Sequence, residues 1–365
     1  MDTSLSRINL QTHEHTWPQT GMRGALLIIL LAGLVAVFLL NIATGSVDIP
    51  LNNIVKILLG GEADKAIWET IVVKFRLPKA VTAMLAGAGL SVAGLQMQTL
   101  FRNPLADPFV LGISSGASLG VALVVMSAGT VGATLIAELG LLGNFTTAAA
   151  ASLGALLVLV VVLFVARKVE SSVTLLIVGL MFGYTTGAAV SLLMYFSITE
   201  RIQAYINWTF GSFDGVTWEQ MRVFAPLILL GMTLAYVQTK PLNALLLGEA
   251  YARSMGVNIQ RTRLLIIMST ALLAGTITAF CGPIGFIGVA VPHLCRSLFS
   301  TSDHRTLIPA TLMMGAGLAL GADLIAQMPG SQVVLPLNAV MALLGAPIVT
   351  WVILRQRNLK MAFAR

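Results

Sequence analysis

Apolar runs long enough to cross a bilayer recur between Gly24 and Leu354, separated by short connectors in which the basic residues collect. A hydrocarbon core about 30 Å thick needs roughly 20 helical residues per crossing. The pattern predicts ten such helices, over 24–43, 78–101, 108–129, 146–166, 173–197, 220–238, 264–281, 285–300, 306–328 and 332–354. One long apolar run is interrupted by Gly282-Pro283-Ile284-Gly285-Phe286-Ile287-Gly288, and Pro292 follows shortly after. Glycine and proline at that density predict a sharp reversal or an unwound stretch at membrane depth. Gly282, Pro283, Gly285, Gly288 and Pro292 are therefore the expected hinge between the seventh and eighth helices. The fold class expected is all-α, a polytopic membrane bundle.

Composition agrees with the pattern. Hydrophobic residues make up 57% of the 365 and charged residues only 10%, with a mean hydropathy of +0.89. A water-soluble domain needs far more polar surface, whereas helices in lipid satisfy their backbone groups internally. The expected organisation is a polar cytoplasmic tail over 1–23, one helical domain over 24–354, and a basic cytoplasmic tail over 355–365. The first tail lacks the short apolar core of a signal peptide, and its His13 and His15 read as solvated rather than metal-bound. Cys281 and Cys295 lie in apolar stretches without metal-ligand spacing and read as small hydrophobes.

The net charge of +7 invites a nucleic-acid partner, but the basic residues are scattered among loop ends, so orientation in the membrane accounts for them. With both ends inside, fifteen of the 22 basic residues are cytoplasmic and seven are outside. Five of those seven, Lys56, Lys65, Lys74, Arg76 and Lys79, cluster in one outside segment over 44–79.

Small residues pattern the helices: Gly87, Gly89 and Gly94 in the second, and Gly112, Gly116 and Gly120 in the third. Such faces let helices approach closely in lipid. The fifth helix mixes Gly183 and Gly187 with Tyr184, Thr185, Thr186 and Ser191, which also suits a pathway lining; Gly183, Thr186, Gly187 and Ser191 are the candidates. There is no phosphate-binding Gly-x-x-x-x-Gly-Lys-Ser/Thr loop and no His-Glu-x-x-His pair. His293 and Cys295, two residues apart, point to different helix faces, which leaves His293 a structural residue beside Pro292. Intramembrane acids are few. Asp323 is the clearest, with Asp107 at a helix entrance and Glu138 in an outer loop, and a structural helix-end role is expected for Asp323 rather than a proton relay.

The connector over 240–263 is the most unusual. Pro241 is expected to end the sixth helix, Gly248 to allow a bend, and Gly256 to stop a short helix. Ala250, Met255 and Val257 offer apolar contact, while Glu249 and Arg253 stand at i, i+4. A loop with its own helices and exposed apolar residues looks built to dock on something.

Several motifs together carry a resemblance. Arg76-Leu77-Pro78-Lys79, the glycine-rich run over 86–94, Gln98-Thr99-Leu100-Phe101-Arg102-Asn103-Pro104-Leu105-Ala106-Asp107-Pro108 and Leu111-Gly112-Ile113-Ser114-Ser115-Gly116-Ala117 come first. Gly248-Glu249-Ala250-Tyr251-Ala252-Arg253, the 282–288 run with Val291-Pro292-His293, Asp303-His304-Arg305 and Leu344-Gly345-Ala346-Pro347 follow in the same order. Together they resemble the FecCD-type permeases, the membrane subunits of binding-protein-dependent ABC importers for iron–siderophores, haem and cobalamin. The resemblance implies ten helices per subunit in a bacterial inner membrane and a central path between two permeases, a second copy or a homologue. It implies two cytoplasmic ATPases that dock on the 240–263 connector, through Gly248, Glu249, Ala250, Ala252, Arg253, Met255 and Gly256. ATP and magnesium would sit on those partners and no cofactor on this chain. It also implies a periplasmic or lipid-anchored binding protein whose acidic residues meet Arg76 and Lys79. At the third such position this chain carries Gln327 in place of a basic residue.

Two other classes compete. An ion-coupled secondary transporter would line a path with several buried acids and would need no connector like 240–263. An intramembrane enzyme would need a nucleophile and base, or a metal pair, at depth. The expected cargo is an iron chelate, with cobalamin as the alternative within the same family.

Overall fold

The computed structural model describes residues 19–45, 47–127, 144–169, 172–327 and 334–362, and the regular elements among them are helical. His13, His15 and Glu138 lie outside these residues, as does the first part of the polar tail. α1 (Gln19–Ala43) is followed by the short α2 (Leu51–Leu58) and α3 (Ala66–Ile71), and α3 passes through a π turn at Val72–Arg76 into α4 (Leu77–Leu100). After a 3₁₀ turn at Pro108–Leu111 come α5 (Ile113–Ser127), α6 (Asn144–Lys168), α7 (Ser172–Tyr195), α8 (Thr199–Thr209) and α9 (Trp218–Val237). The chain continues through α10 (Thr239–Leu246), α11 (Glu249–Ser254), α12 (Ile259–Cys281), α13 (Ile287–Phe299), α14 (His304–Ala326) and α15 (Leu337–Ala362).

Seven described helices are long and apolar enough to cross a membrane, and α5, α13 and α15 supply three shorter apolar ones. In order, these ten match the ten expected crossings. The second differs most, because its helix begins at Ala66 instead of residue 78. Pro78 has no N–H to donate and crowds the carbonyl four residues back, which ordinarily ends a helix. Here the wider π turn just upstream absorbs that mismatch, so the helix shifts register and continues. α12 likewise starts at Ile259, before the expected 264, because the Asn258 side chain accepts the Arg261 N–H at 2.9 Å and caps its first turn. Pro241 does not end the sixth crossing. It sits in the first turn of α10, where a missing N–H costs nothing. At the other terminus α15 runs on to Ala362, so residues 355–362 continue the helix.

α4 is the centre of the bundle: every residue from Ala86 to Leu100 is buried. It packs on α14, α12, α13 and α9. Two glycine crossings make this possible. A Cβ on Gly87 would collide with the Gly315 carbonyl of α14, and one on Gly94 with the Gly288 carbonyl of α13. The Ser91 hydroxyl donates across the first crossing to the Thr311 carbonyl at 2.8 Å. The Gln96 side-chain carbonyl accepts from Ser269 of α12 at 3.0 Å. α1, α6 and α7 instead turn leucines, isoleucines and valines outward, the pattern of helices that face lipid.

Candidate functional site

Side-chain bonds gather the connectors into two ends of the bundle. One end carries a charged cluster drawn from four separate segments. Asp323, near the C-terminus of α14, is buried, and its Oδ1 lies 3.3 Å from the Lys79 ammonium of α4. Its Oδ2 accepts from Asn41 of α1 at 2.9 Å and from Gln327 at 2.6 Å. Lys79 also reaches Asp214, in the loop before α9, at 2.8 Å. Asp323 thus holds a structural position at the end of its helix, and its ionic partner comes from a distant part of the chain.

Arg76, one turn before Lys79, donates through Nη1 to the carbonyls of Ile42 and Ala43, each at 2.9 Å, and through Nη2 to the carbonyl of Val47. Arg76, Lys79 and Gln327, set far apart in the sequence, therefore line one cavity of about 580 Å³ together with Asn41 and Asp214. Their electrostatics differ. Carbonyls hold the Arg76 donors and its nearest interacting carboxylate, Asp48, acts through charge rather than a direct bond, whereas two carboxylates contact Lys79 directly. Asn41 and Asp214 are the partners that motif reading missed, since nothing in their local sequence marks them.

At the opposite end, α10, α11 and the start of α12 form the 240–263 connector. Gly248 and Gly256 both adopt positive φ, +106° and +83°, which L side chains resist. They bracket α11, as the glycine spacing predicted. Ala252 is buried beneath α11, while Ala250 and Arg253 are exposed and Met255 is about half exposed. A groove of about 790 Å³ runs between α10 and the turn into α12, floored by Pro241, Ala244, Met255 and Val257, with Lys240, Arg261 and Arg305 around it. The Glu249 carboxylate bonds Arg263 of α12 at 3.1 Å, which holds α11 against the bundle.

Two acids at this end are perturbed. Burial raises the Asp107 carboxyl to about 6, partly offset by the Phe109 N–H that it accepts. Burial pushes the Asp303 carboxyl upward, but the Arg305 N–H, the Asn243 amide and the charges of Arg305 and His304 outweigh it and hold the group below its ordinary value. Asp303 thereby caps α14 and links it to α10 through Asn243.

The expected reversal between the seventh and eighth crossings is present as an unwound stretch over 282–286. Gly282 takes φ +77°, and a Cβ there would clash with the Trp208 carbonyl. Gly288 meets Pro108 and α4, and Pro292 lies inside α13. Unpaired backbone at membrane depth is costly, and Asn338 of α15 answers it. Its carbonyl accepts the Gly285 N–H at 3.1 Å, and its amide donates to the Thr209 carbonyl at 2.8 Å and to that of Pro283. Asn338 is a second residue that motif reading missed. His293 bonds the Pro104 carbonyl at 2.7 Å, in keeping with a structural role, and both cysteines are buried.

On α7 the four path candidates divide. Gly187 and Ser191 lie on the exposed face and Gly183 is half-buried, while Thr186 turns inward and bonds its own helix at Phe182 and Gly183.

A bundle of membrane-crossing helices with a charged cavity at one end and a helical, groove-bearing connector at the other has the architecture of a membrane permease. The chain belongs to the FecCD transport family, which matches residues 33–355. It is 37% identical over 298 residues to the vitamin B12 import system permease protein BtuC of Klebsiella pneumoniae, covering 82% of this chain and 86% of that one. The hemin transport system permease protein HmuU of Yersinia pestis is 34% identical, over 92% of this chain and 99% of its own. Among solved structures, an inward-facing metal-chelate type ABC transporter superposes with a TM-score of 0.78 at 27% identity, covering 91% of this chain and 99% of that chain. The protein is thus an ABC importer permease subunit, a transport component that works with substrate-binding and ATPase partners, the ATPase being a separate subunit.

Proposed function

We propose that this permease, paired with a second copy or a homologue in the bacterial cytoplasmic membrane with both termini inside, imports an iron chelate, a siderophore complex or haem. The observation that carries the mechanism is the 240–263 connector, where glycines at positive φ bracket a short helix beside a largely apolar groove. Two cytoplasmic ATPases, which hold the ATP and magnesium while this chain binds no cofactor, press on Glu249–Gly256. Packed helices then move as units and open one face of the path at a time. At the other end a periplasmic or lipid-anchored binding protein brings carboxylates to the mouth, where charge complementarity mainly raises encounter rate and sets orientation. Arg76, which makes no direct ion pair among the described residues, is the stronger contact; Lys79 contributes only as far as Asp214 and Asp323 release it, and Gln327 contributes through its amide. The cargo passes between protomers along the faces that carry Gly187 and Ser191.

A cobalamin cargo is the second reading, favoured by the identity to the Klebsiella vitamin B12 permease. Uptake of labelled siderophore, haem and cobalamin in a strain lacking this permease, with and without its restoration, separates the two. Restored iron-chelate uptake is expected, and restoration of cobalamin uptake alone would replace the first reading with the second. If the purified chain, reconstituted without an ATPase, drove a solute against its gradient, the importer mechanism would fall.

A further inference from the structure

A second cavity at the connector end lies beside the segment that the ATPases press on, sharing Glu249 and Arg253 with it, and its remaining basic residues have no part in the transport mechanism. It is about 440 Å³ in volume and is lined by Arg167 and Lys168 at the end of α6, Arg253 of α11, and Arg263 and Gln260 of α12, with Glu249 as its acid. Glu249 is engaged by Arg263 at 3.1 Å, and Arg263 also donates to the Val169 carbonyl at 2.9 Å. Arg167, Lys168 and Arg253 make no ion pair among the described residues. The pocket therefore presents three cations that the described chain does not neutralise, at the mouth of a cleft between helices.

The surroundings of the cleft set the chemistry that a ligand there must have. Leu153, Leu157, Val160 and Phe164 form one exposed apolar stripe on α6, stepping by three or four residues, and the next position on that stripe is Lys168. The Lys168 ammonium lies 4.5 Å from the centroid of the Phe164 ring, so it is held where the apolar stripe ends. On the next helix, Val173 and Ile177 of α7 are also exposed. A ligand with apolar chains along the stripe and an anionic head in the basic pocket would satisfy both surfaces. Basic pockets between transmembrane helices at the membrane surface suit acidic lipid headgroups.

We propose that this cavity binds the phosphodiester headgroup of an anionic phospholipid, with its acyl chains laid along the outer stripe of α6. The bound lipid would join α6, α11 and α12, and so brace the connector.

The test is native mass spectrometry of the full-length permease released from vesicles of mixed phosphatidylglycerol and phosphatidylethanolamine. Retention of phosphatidylglycerol over phosphatidylethanolamine is expected. The double variant Arg167→Gln, Lys168→Gln should bind it about twenty-five-fold more weakly, since each interfacial cation is worth roughly fivefold in affinity. A control, Arg222→Gln on α9, should bind like the wild type. Equal retention of the two lipids, or an unchanged affinity in the double variant, would overturn the assignment. Inorganic phosphate that competes as well as the lipid at equal concentration would identify a free-anion site instead. Displacement of the lipid by an added ATPase subunit would show that the pocket belongs to the protein interface. Because Arg167 and Lys168 are both exposed, the variant should keep the thermal stability of the wild type in lipid-free detergent, which separates lost binding from misfolding.

Discussion

Replacing Lys79 with methionine removes the cation from a cluster in which Asp323 is 6% exposed and Asp214 is 57% exposed. The two carboxylates should feel its loss very differently. Breaking a buried pair by deleting one partner leaves an uncompensated charge and costs about 3–5 kcal/mol. Asn41 and Gln327 still donate to Asp323, so the lower end of that range applies. The Asp214 arm is more than half exposed and is worth about 0–1 kcal/mol. Lys79→Met should therefore destabilise by about 3 kcal/mol, Asp214→Asn by less than about 1 kcal/mol, and Lys79→Met combined with Asp323→Leu should recover part of the loss, the remainder being the Asn41 and Gln327 amides left without their acceptor. Unfolding midpoints of the detergent-solubilised protein measure all three. With an unfolding entropy of about 2.1 cal/mol/K per residue over a chain of this length, Lys79→Met should lower the midpoint by about 4 °C. A drop no larger than that of Asp214→Asn, or a double variant worse than Lys79→Met alone, would show that the pair is not the strut described here.

Three further outcomes follow from the packing. Gly94→Ala should destabilise by about 1–3 kcal/mol through overpacking against the Gly288 carbonyl, whereas Gly187→Ala, which meets nothing within 4 Å, should be neutral or slightly stabilising; paired unfolding curves test the contrast. Asn338→Ala should cost about 1–3 kcal/mol, because it strips partners from buried backbone at the reversal, and hydrogen exchange should rise at Gly285. Asp107 has its folded pKa raised to about 6, so the folded state holds that proton more tightly than the unfolded chain. Its favourable contribution is complete below the unfolded value near 4 and declines as pH rises through about 6. Stability measured across that window should fall in the wild type relative to Asp107→Asn, and parallel curves would contradict the assignment.

The features legible in the sequence are those with a local cause. Hydrophobic runs set the ten crossings, and paired glycines set the bends at Gly248 and Gly256. The density of Gly282, Pro283 and Gly285 marks the reversal. What escaped depends on groups distant in the chain. The helix upstream of Pro78 continues because a π turn absorbs the proline, a matter of backbone register that residue types do not encode. Asn41, Asp214 and Asn338 are ordinary residues in their own segments and gain their roles only from what the bundle sets beside them. Lys79 shows the same limit in reverse: its motif implied acidic partners on a binding protein, and the fold supplies two carboxylates of its own chain.

The enclosure of α4 also has a consequence for how the protein is made. The second crossing enters the bilayer carrying Gln96, Ser91 and Gln98, yet the groups that receive them lie far downstream. Ser269 follows Gln96 by 173 residues, and Thr311 follows Ser91 by 220. At about 5–20 residues per second of synthesis, the first of these partners arrives roughly ten to thirty-five seconds later. Throughout that interval the nascent helix must be sheltered by the insertion machinery or by its own earlier neighbours. The span most protected in the finished transporter is the one most exposed during its birth.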